Sequence, residues 1–243
     1  MASTKAPIVS STEAYRPPAG PVKRGAFILL EGVDRCGKTT QANLLVQGLK
    51  DAGHDACFMR FPDRATPIGH MINDFLQKTT DIDDRCVHLL FSANRWEAES
   101  AIRERLMAGT TVVCDRYAYS GVAFSASKPA GLEVDWCKDP DRGLPAPDKI
   151  LFLDISVEDA MKRGQFGEER YEKEEFQRTV RATFLALMEE DKAAGVEWQL
   201  IDANGAIESI QDQIQEIATS VMGEVEEKKI ASLWRRKADK FSE

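Results

Sequence analysis

The stretch Gly32-Val33-Asp34-Arg35-Cys36-Gly37-Lys38-Thr39 carries residue types and a spacing suited to binding a polyphosphate. A backbone that curls round a triphosphate must turn successive N–H groups inward. Gly32 and Gly37 stand where a Cβ would clash or where the turn needs unusual backbone angles. Lys38 supplies a charge for the β and γ phosphates, and Thr39 supplies a hydroxyl for Mg²⁺. The helix that begins there points its positive dipole end at the anion. The pattern is G-x-x-x-x-G-K-[ST], the P-loop. Within it Cys36 reads as a small spacer rather than a reactive thiol.

Three further groups of residues suit the same chemistry. Asp115 and Arg116 follow an apolar run, where an acidic residue orients Mg²⁺ or its waters and an arginine faces phosphates. Arg64, in Phe61-Pro62-Asp63-Arg64, closes a second such run, at a position where an anion binds in a parallel sheet. Phe91 and Arg95 stand four residues apart in a helical pattern, so they share a face within about 6 Å along the axis. An aromatic ring beside a planar guanidinium suits a nucleobase, one stacking and the other bonding its edge.

These residues need elements to position them. Strands are expected at 26–30, 55–61, 110–114, 149–154 and 197–202. The intervening helices begin with one after the P-loop, with Ala42, Leu45, Val46 and Leu49 on one face and Gly53 at its end. A single long helix is expected over 83–108, closed by Gly109. The stretch 121–147, punctuated by Gly, Pro, Lys and Asp, reads as irregular. Ser156 caps a short helix to Arg163 that breaks at Gly164. Residues 163–172 then read as a lid over phosphates. Two more helices are expected, from Tyr171 to Asp191 and over 206–222. Five strands alternating with helices predict an α/β fold, a doubly wound five-stranded parallel sheet with helices on both faces. The domain spans 25–222, between a flexible tail, 1–24, and a charged extension, 223–243, expected to form an amphipathic helix docking Leu233 and Trp234.

A chain of 243 residues suits one such domain, and a formal net charge of -8 argues against a nucleic-acid surface or an anionic membrane as main partner. No apolar run approaches the roughly 20 residues that span a bilayer, and no signal-peptide core is seen. The five cysteines are odd in number and dispersed, which points to a reduced compartment; the cytoplasm is expected, with the nucleus as a second site. The three histidines are scattered too, which argues against structural zinc.

The segments Phe27 to Gln41, Arg60 to Arg64, His88 to Glu97, Asp115 to Gly121, Asp135-Trp136-Cys137, Gly143 to Asp148 and Gly167 to Glu172 together resemble eukaryotic thymidylate kinase, a P-loop nucleoside monophosphate kinase family. The resemblance covers about residues 25 to 222. It implies transfer of the ATP γ-phosphoryl to dTMP with Mg²⁺, in dTTP biosynthesis, by a homodimer with the 83–108 helix near its interface. It implies an ATP cradle of Gly32, Val33, Asp34, Arg35, Cys36, Gly37, Lys38, Thr39 and Thr40, with Arg163 on the adenine and Thr39 and Asp115 toward the metal. On the acceptor side it implies Phe91 stacked on thymine and Arg95 on its edge. Arg64 and Arg116 hold the phosphate, Asp34 meets the sugar 3′-hydroxyl, and Phe124 closes the pocket against a ribose. Phe61, Gly121, Tyr171 and Gln177 border the same site. Arg35, rather than Arg163 or Arg170 of the lid, bridges the two nucleotides, so Arg35, Lys38, Asp34 and Arg116 form the catalytic set.

A phosphate monoester is already an anionic nucleophile, so a site rich in arginine and poor in histidine fits this reaction. A nucleoside kinase needs a carboxylate base for a sugar hydroxyl, and Glu31 stands where one would sit. Paired arginines for an acceptor phosphate favour the monophosphate. A nucleotide-dependent regulatory module remains a reading from a different class.

Overall fold

In the computed structural model the described residues are 23–163 and 169–235. Most of the expected tail, the lid segment 164–168 and the chain end from 236 lie outside them.

Five strands, β1 (Phe27–Glu31), β2 (Ala56–Arg60), β3 (Thr111–Asp115), β4 (Lys149–Asp154) and β5 (Trp198–Asp202), form a parallel sheet in the order β2-β3-β1-β4-β5. Each falls within a residue of its expected bounds. β1 lies at the centre and is buried throughout, which its unbroken apolar run requires of a strand covered on both faces. Its side chains alternate between two cores. Phe27 and Leu29 face a layer with Ile102 and Leu106 of α4 (Glu99–Met107), Val122 of α5 (Ala118–Ala126) and Phe184 of α8 (Glu174–Ala193). Ile28 and Leu30 face Leu45, Val46 and Leu49 of α1 (Lys38–Asp51) and Ile214 and Ala218 of α9 (Ile207–Val225). Each such side chain contributes about 1.5–3 kcal/mol on burial. The strand C-terminal ends, where the P-loop and Asp115 lie, open at the reversal of strand order beside β1, the usual ligand crevice of open α/β sheets.

The long helix expected over 83–108 is two: α3 (Asp84–Trp96), capped by the Asp83 carboxylate, and α4. No glycine or proline marks the break. At the join the Ala98 N–H bonds to the Arg95 carbonyl, a tighter turn than the α-helical one, and the Asn94 side chain bonds to Asp63 O and Glu97 Oε2. Two targets decide it: α4 packs its apolar face on the sheet, while α3 packs with α2 (Pro67–Leu76) over a separate cluster of Ile72, Phe75, Leu76 and Val87. α2 lies where no helix is expected, although Thr66 caps it and Pro67 opens it.

The stretch 121–147 is more regular than its composition suggests. It completes α5 and contains α6 (Val134–Lys138) and a 3₁₀ turn (Asp139–Asp141). Gly121 lies inside α5, buried, so it marks a close approach rather than a turn. α7 (Val157–Lys162) begins where Ser156 accepts the Asp159 N–H, as expected.

At the chain ends, Arg24 is not part of a tail: it is buried, with two nitrogens on the Asp148 carboxylate. Beyond α9 no amphipathic helix forms among the described residues. Residues 226–235 run as a strap that bridges Ser232 to Pro145 and buries Leu233.

Candidate active site

The turn after β1 sets the first half of the site. Gly32 adopts φ 146°, and a Cβ there would lie 2.6 Å from the Leu153 carbonyl oxygen. Gly37, at φ 106°, is the N-cap of α1. Between them Arg35 holds φ 62°, and Arg116 after β3 holds φ 69°, a left-handed conformation that costs a residue with a side chain about 1–2 kcal/mol. The Lys38 ammonium, 5% exposed, donates to Val33 O at 2.7 Å and Gly32 O at 3.2 Å, which draws it back along the loop.

Thr39 Oγ1 donates to Asp115 Oδ2, while Asp115 Oδ1 is buried with no partner among the described residues. A hydroxyl and an orphaned carboxylate oxygen are hard donors that suit Mg²⁺, which takes one or two protein oxygens and completes its shell with phosphates and water. No group of three or more His, Cys, Asp or Glu side chains able to hold a metal occurs among the described residues.

Two clefts meet here. One is lined by Arg35, Cys36, Gly37, Lys38, Thr39, Thr40, Asp115, Arg163, Glu172, Gly205 and Ile207. The other, about 720 Å³ with its open mouth included, is lined by Phe61, Pro62, Arg64, Leu76, Phe91, Arg95, Tyr117, Ser120, Gly121, Phe124 and Tyr171. Asp34, Arg60, Arg116 and Glu169 line both.

Arg116 anchors this junction. It bonds to Asp34 Oδ1, Gly32 O and Ser120 Oγ, and lies 5.0 Å from the Phe124 ring centroid. Burial acts against its charge, but Asp34, Asp115 and Glu31 outweigh burial and raise its pKa. Gln177, buried on α8, accepts the Asp34 N–H and donates to Asp34 Oδ2 at 2.6 Å.

At the far end of the second cleft, Arg95 is 2% exposed and gives Nε and NH2 to the Asp141 carboxylate at 3.0 and 2.6 Å. Phe91 projects from the same helix into the same cleft, as the i, i+4 spacing predicts. Tyr171 stacks on Phe176 at 5.2 Å and tilts against Phe124 at 5.6 Å.

Most expected site residues therefore converge, with some exceptions. Gly32 and Val33 contribute carbonyls rather than cleft wall, and Val33 packs in the core under α1. Gln177 stands behind Asp34 instead of on the surface of either cleft. Arg170 turns away, its guanidinium on Phe75 O, Thr80 O and Asp81. Arg163 crosses the P-loop, with NH1 on Cys36 O at 2.9 Å. Glu31 is the last residue of β1, fully buried, and accepts from the Tyr117 and Ser120 N–H groups and the Ser120 hydroxyl. Burial pushes its carboxyl upward, against Arg116 and those hydrogen bonds. It lines neither cleft, so a base in that position has no access to an acceptor.

Sequence reasoning missed Arg60, Glu169, Glu172 and Asp141. Glu172 holds Arg35 at 2.7 Å, and Glu169 holds Arg64 at 2.8 Å. Arg60 carried one usable signal, its place at the end of an apolar run four residues before Arg64.

The family model for thymidylate kinase matches residues 30–214. The chain is 47% identical over 213 residues to a thymidylate kinase of Homo sapiens and 46% identical over 213 residues to one of Danio rerio, covering 88% of this chain and 99% of each relative. A solved structure of thymidylate kinase from Candida albicans superposes with a TM-score of 0.76 at 36% identity, covering 86% of this chain and 98% of that one.

Proposed function

The chain belongs to the thymidylate kinase family, and on that premise we propose how its residues carry the γ-phosphoryl group of ATP to dTMP. The protein is a dTMP kinase that forms dTDP on the way to dTTP. The observation that carries the assignment of sites is the shared wall of the two clefts, where Asp34 and Arg116 stand between the P-loop and an aromatic pocket.

ATP occupies the P-loop cleft. Backbone N–H groups from Gly32 to Thr40 and the Lys38 ammonium hold its phosphates, and Arg163 covers the adenine. Thr39 and Asp115 hold Mg²⁺, which when bound neutralises charge on the phosphates. In the second cleft Phe91 stacks on the thymine and Arg95 donates to its edge, over Gly121. Phe61, Phe124 and Tyr171 enclose the base and sugar. Asp34, held by Gln177, accepts from the 3′-hydroxyl. Arg64 and Arg116 hold the acceptor phosphate, and Arg35 bridges it to the donor. No residue needs to remove a proton, because the acceptor is already anionic. The protein's part is alignment and charge neutralisation, the terms that dominate phosphoryl transfer.

The domain occupies 25–222 within this proposal. The protein works as a homodimer in the cytoplasm, and in the nucleus as well, without nucleic acid or membrane. The exposed Leu89 and Trp96, seven residues apart on α3, and five free cysteines support that part. No helix among the described residues is long and apolar enough to cross a membrane.

The test is ADP release from Mg-ATP with dTMP, dUMP, dCMP, UMP, CMP and AMP offered singly and thymidine as control. A strong preference for dTMP supports the roles of Phe91, Arg95 and Phe124. Preference for thymidine would return attention to nucleoside kinases, and ATP binding with no turnover of any acceptor would favour a regulatory module.

A further inference from the structure

Three arginines of the acceptor cleft are each paired with a carboxylate, but the pairs differ in what solvent reaches. The Arg64–Glu169 side chains are 35% and 31% exposed and those of Arg116–Asp34 13% and 23% exposed, whereas those of Arg95–Asp141 are 2% and 0% exposed. An open pair can exchange its carboxylate for a phosphate. A closed, bidentate one cannot do so without stranding a buried carboxylate.

The 3₁₀ turn that brings Asp141 beneath Arg95 is itself clamped to α3. Trp96 Nε1 donates to Pro140 O at 2.7 Å, and Ser92 Oγ lies 2.8 Å from Asp141 Oδ1. The opposite side of the guanidinium is fixed by Gly121. A Cβ at that position would lie 2.6 Å from NH2 and 3.1 Å from NH1, so the absence of a side chain there lets the group lie flat on α5. With Nε and NH2 committed to Asp141, NH1 has no protein partner among the described residues.

We propose that Asp141 is a positioning residue for pyrimidine recognition: it neutralises Arg95 permanently and fixes its orientation, so that NH1 is presented to a neutral base edge. The inference rests on the reading of Arg95 given above. It assigns a direction to the cleft. Arg64 and Arg116 keep charge exchangeable for a phosphate, while the Arg95 end has its charge already cancelled, so a nucleoside monophosphate enters with its base at Arg95. NH1 donates to the O4 carbonyl of thymine and opposes the amino group of cytosine, which makes the dTMP to dCMP ratio its readout.

The experiment is a double-mutant cycle of Asp141→Asn, Arg95→Gln and the pair together, with kcat and KM measured for dTMP, dCMP and ATP. Asp141→Asn should raise the KM for dTMP 10-fold or more and narrow the dTMP to dCMP ratio, with kcat within about 3-fold and the KM for ATP unchanged. The double variant, with both charges gone, should match Arg95→Gln alone, since Asp141 acts only through Arg95. A reversible loss of folding raises the KM for dTMP and dCMP by the same factor, so the dTMP to dCMP ratio separates the positioning role from simple destabilisation. Asp141→Glu, which keeps the charge, should restore part of the dTMP affinity that Asp141→Asn loses. The inference is overturned by an Asp141→Asn enzyme with unchanged KM and selectivity, or by losses that multiply in the double variant. If Arg95→Gln itself keeps full preference for dTMP over dCMP, the reading of Arg95 fails, and this inference with it.

Discussion

Glu169 grips Arg64 with both carboxylate oxygens, at 2.8 and 3.1 Å, in the cleft where Arg64 is assigned to the acceptor phosphate. An acceptor phosphate must displace that carboxylate. Partly exposed pairs of this kind are worth up to about 1 kcal/mol, so Glu169→Gln should lower the KM for dTMP about 2- to 5-fold. Initial rates against dTMP at saturating ATP read this directly. A raised KM would mean instead that Glu169 contacts the nucleotide.

Removing charge from the P-loop should act on turnover. Lys38→Ala or Arg35→Ala should lower kcat by 10²-fold or more, because contacts that strengthen in the transition state are lost. Turnover within about 3-fold of the parent protein would refute the phosphate-clamp assignment for the residue changed.

Asp115 Oδ1 is buried without a partner among the described residues, and Thr39 already donates to Oδ2. Asp115→Asn should therefore raise the Mg²⁺ concentration for half-maximal rate at least about 10-fold, and chelation with EDTA should abolish activity of the parent protein. A magnesium titration at fixed ATP checks both. An unchanged titration midpoint would remove Asp115 from the metal site.

His88 gives a pH prediction away from the chemistry. It is fully buried between Ser125 Oγ at 2.8 Å and Cys137 O at 3.0 Å. Burial, with a smaller contribution from Arg95, lowers its pKa from 6.5 to about 4. The unfolded chain therefore binds the extra proton between about pH 6.5 and pH 4. The contribution to stability is complete above that window and is lost as pH falls through it. From pH 7 to pH 5 the loss is about 2 kcal/mol by linkage. Urea unfolding at both pH values should show His88→Gln losing less stability than the parent protein over that interval; an equal loss would mean His88 does not drive the slope.

Much of the site was legible because its parts are local. The P-loop spacing, the apolar run that becomes β1, the Asp115-Arg116 pair at a strand tip and the i, i+4 relation of Phe91 to Arg95 are patterns within a few residues, governed by backbone geometry. The inner strands were legible for the same reason: a parallel sheet covered on both faces demands continuous apolar runs, whereas the edge strand β5, Trp198–Asp202, is only partly buried and carries a weaker pattern. The helices of 67–141 were harder. α2 is announced by Thr66-Pro67 but sits in a short stretch between stronger signals, and α5 is buried on nearly every side, with small and polar residues among its apolar ones, so it shows no helical stripe.

By itself, the sequence determined that a polyphosphate loop precedes a helix, that five parallel strands carry it, and which residue types stand ready for phosphates and a base. Tertiary structure alone decided which charges meet. Glu169 and Arg64 are 105 residues apart, Glu172 and Arg35 137, Asp141 and Arg95 46. No local pattern pairs them, because a salt bridge requires only that two side chains end within a few ångströms. It likewise decided the break at Glu97–Ala98, where no residue forbids a continuous helix and two separate packing surfaces require one to end. Local spacing is written in the chain, whereas partnership across the fold depends on how the buried faces close over one another.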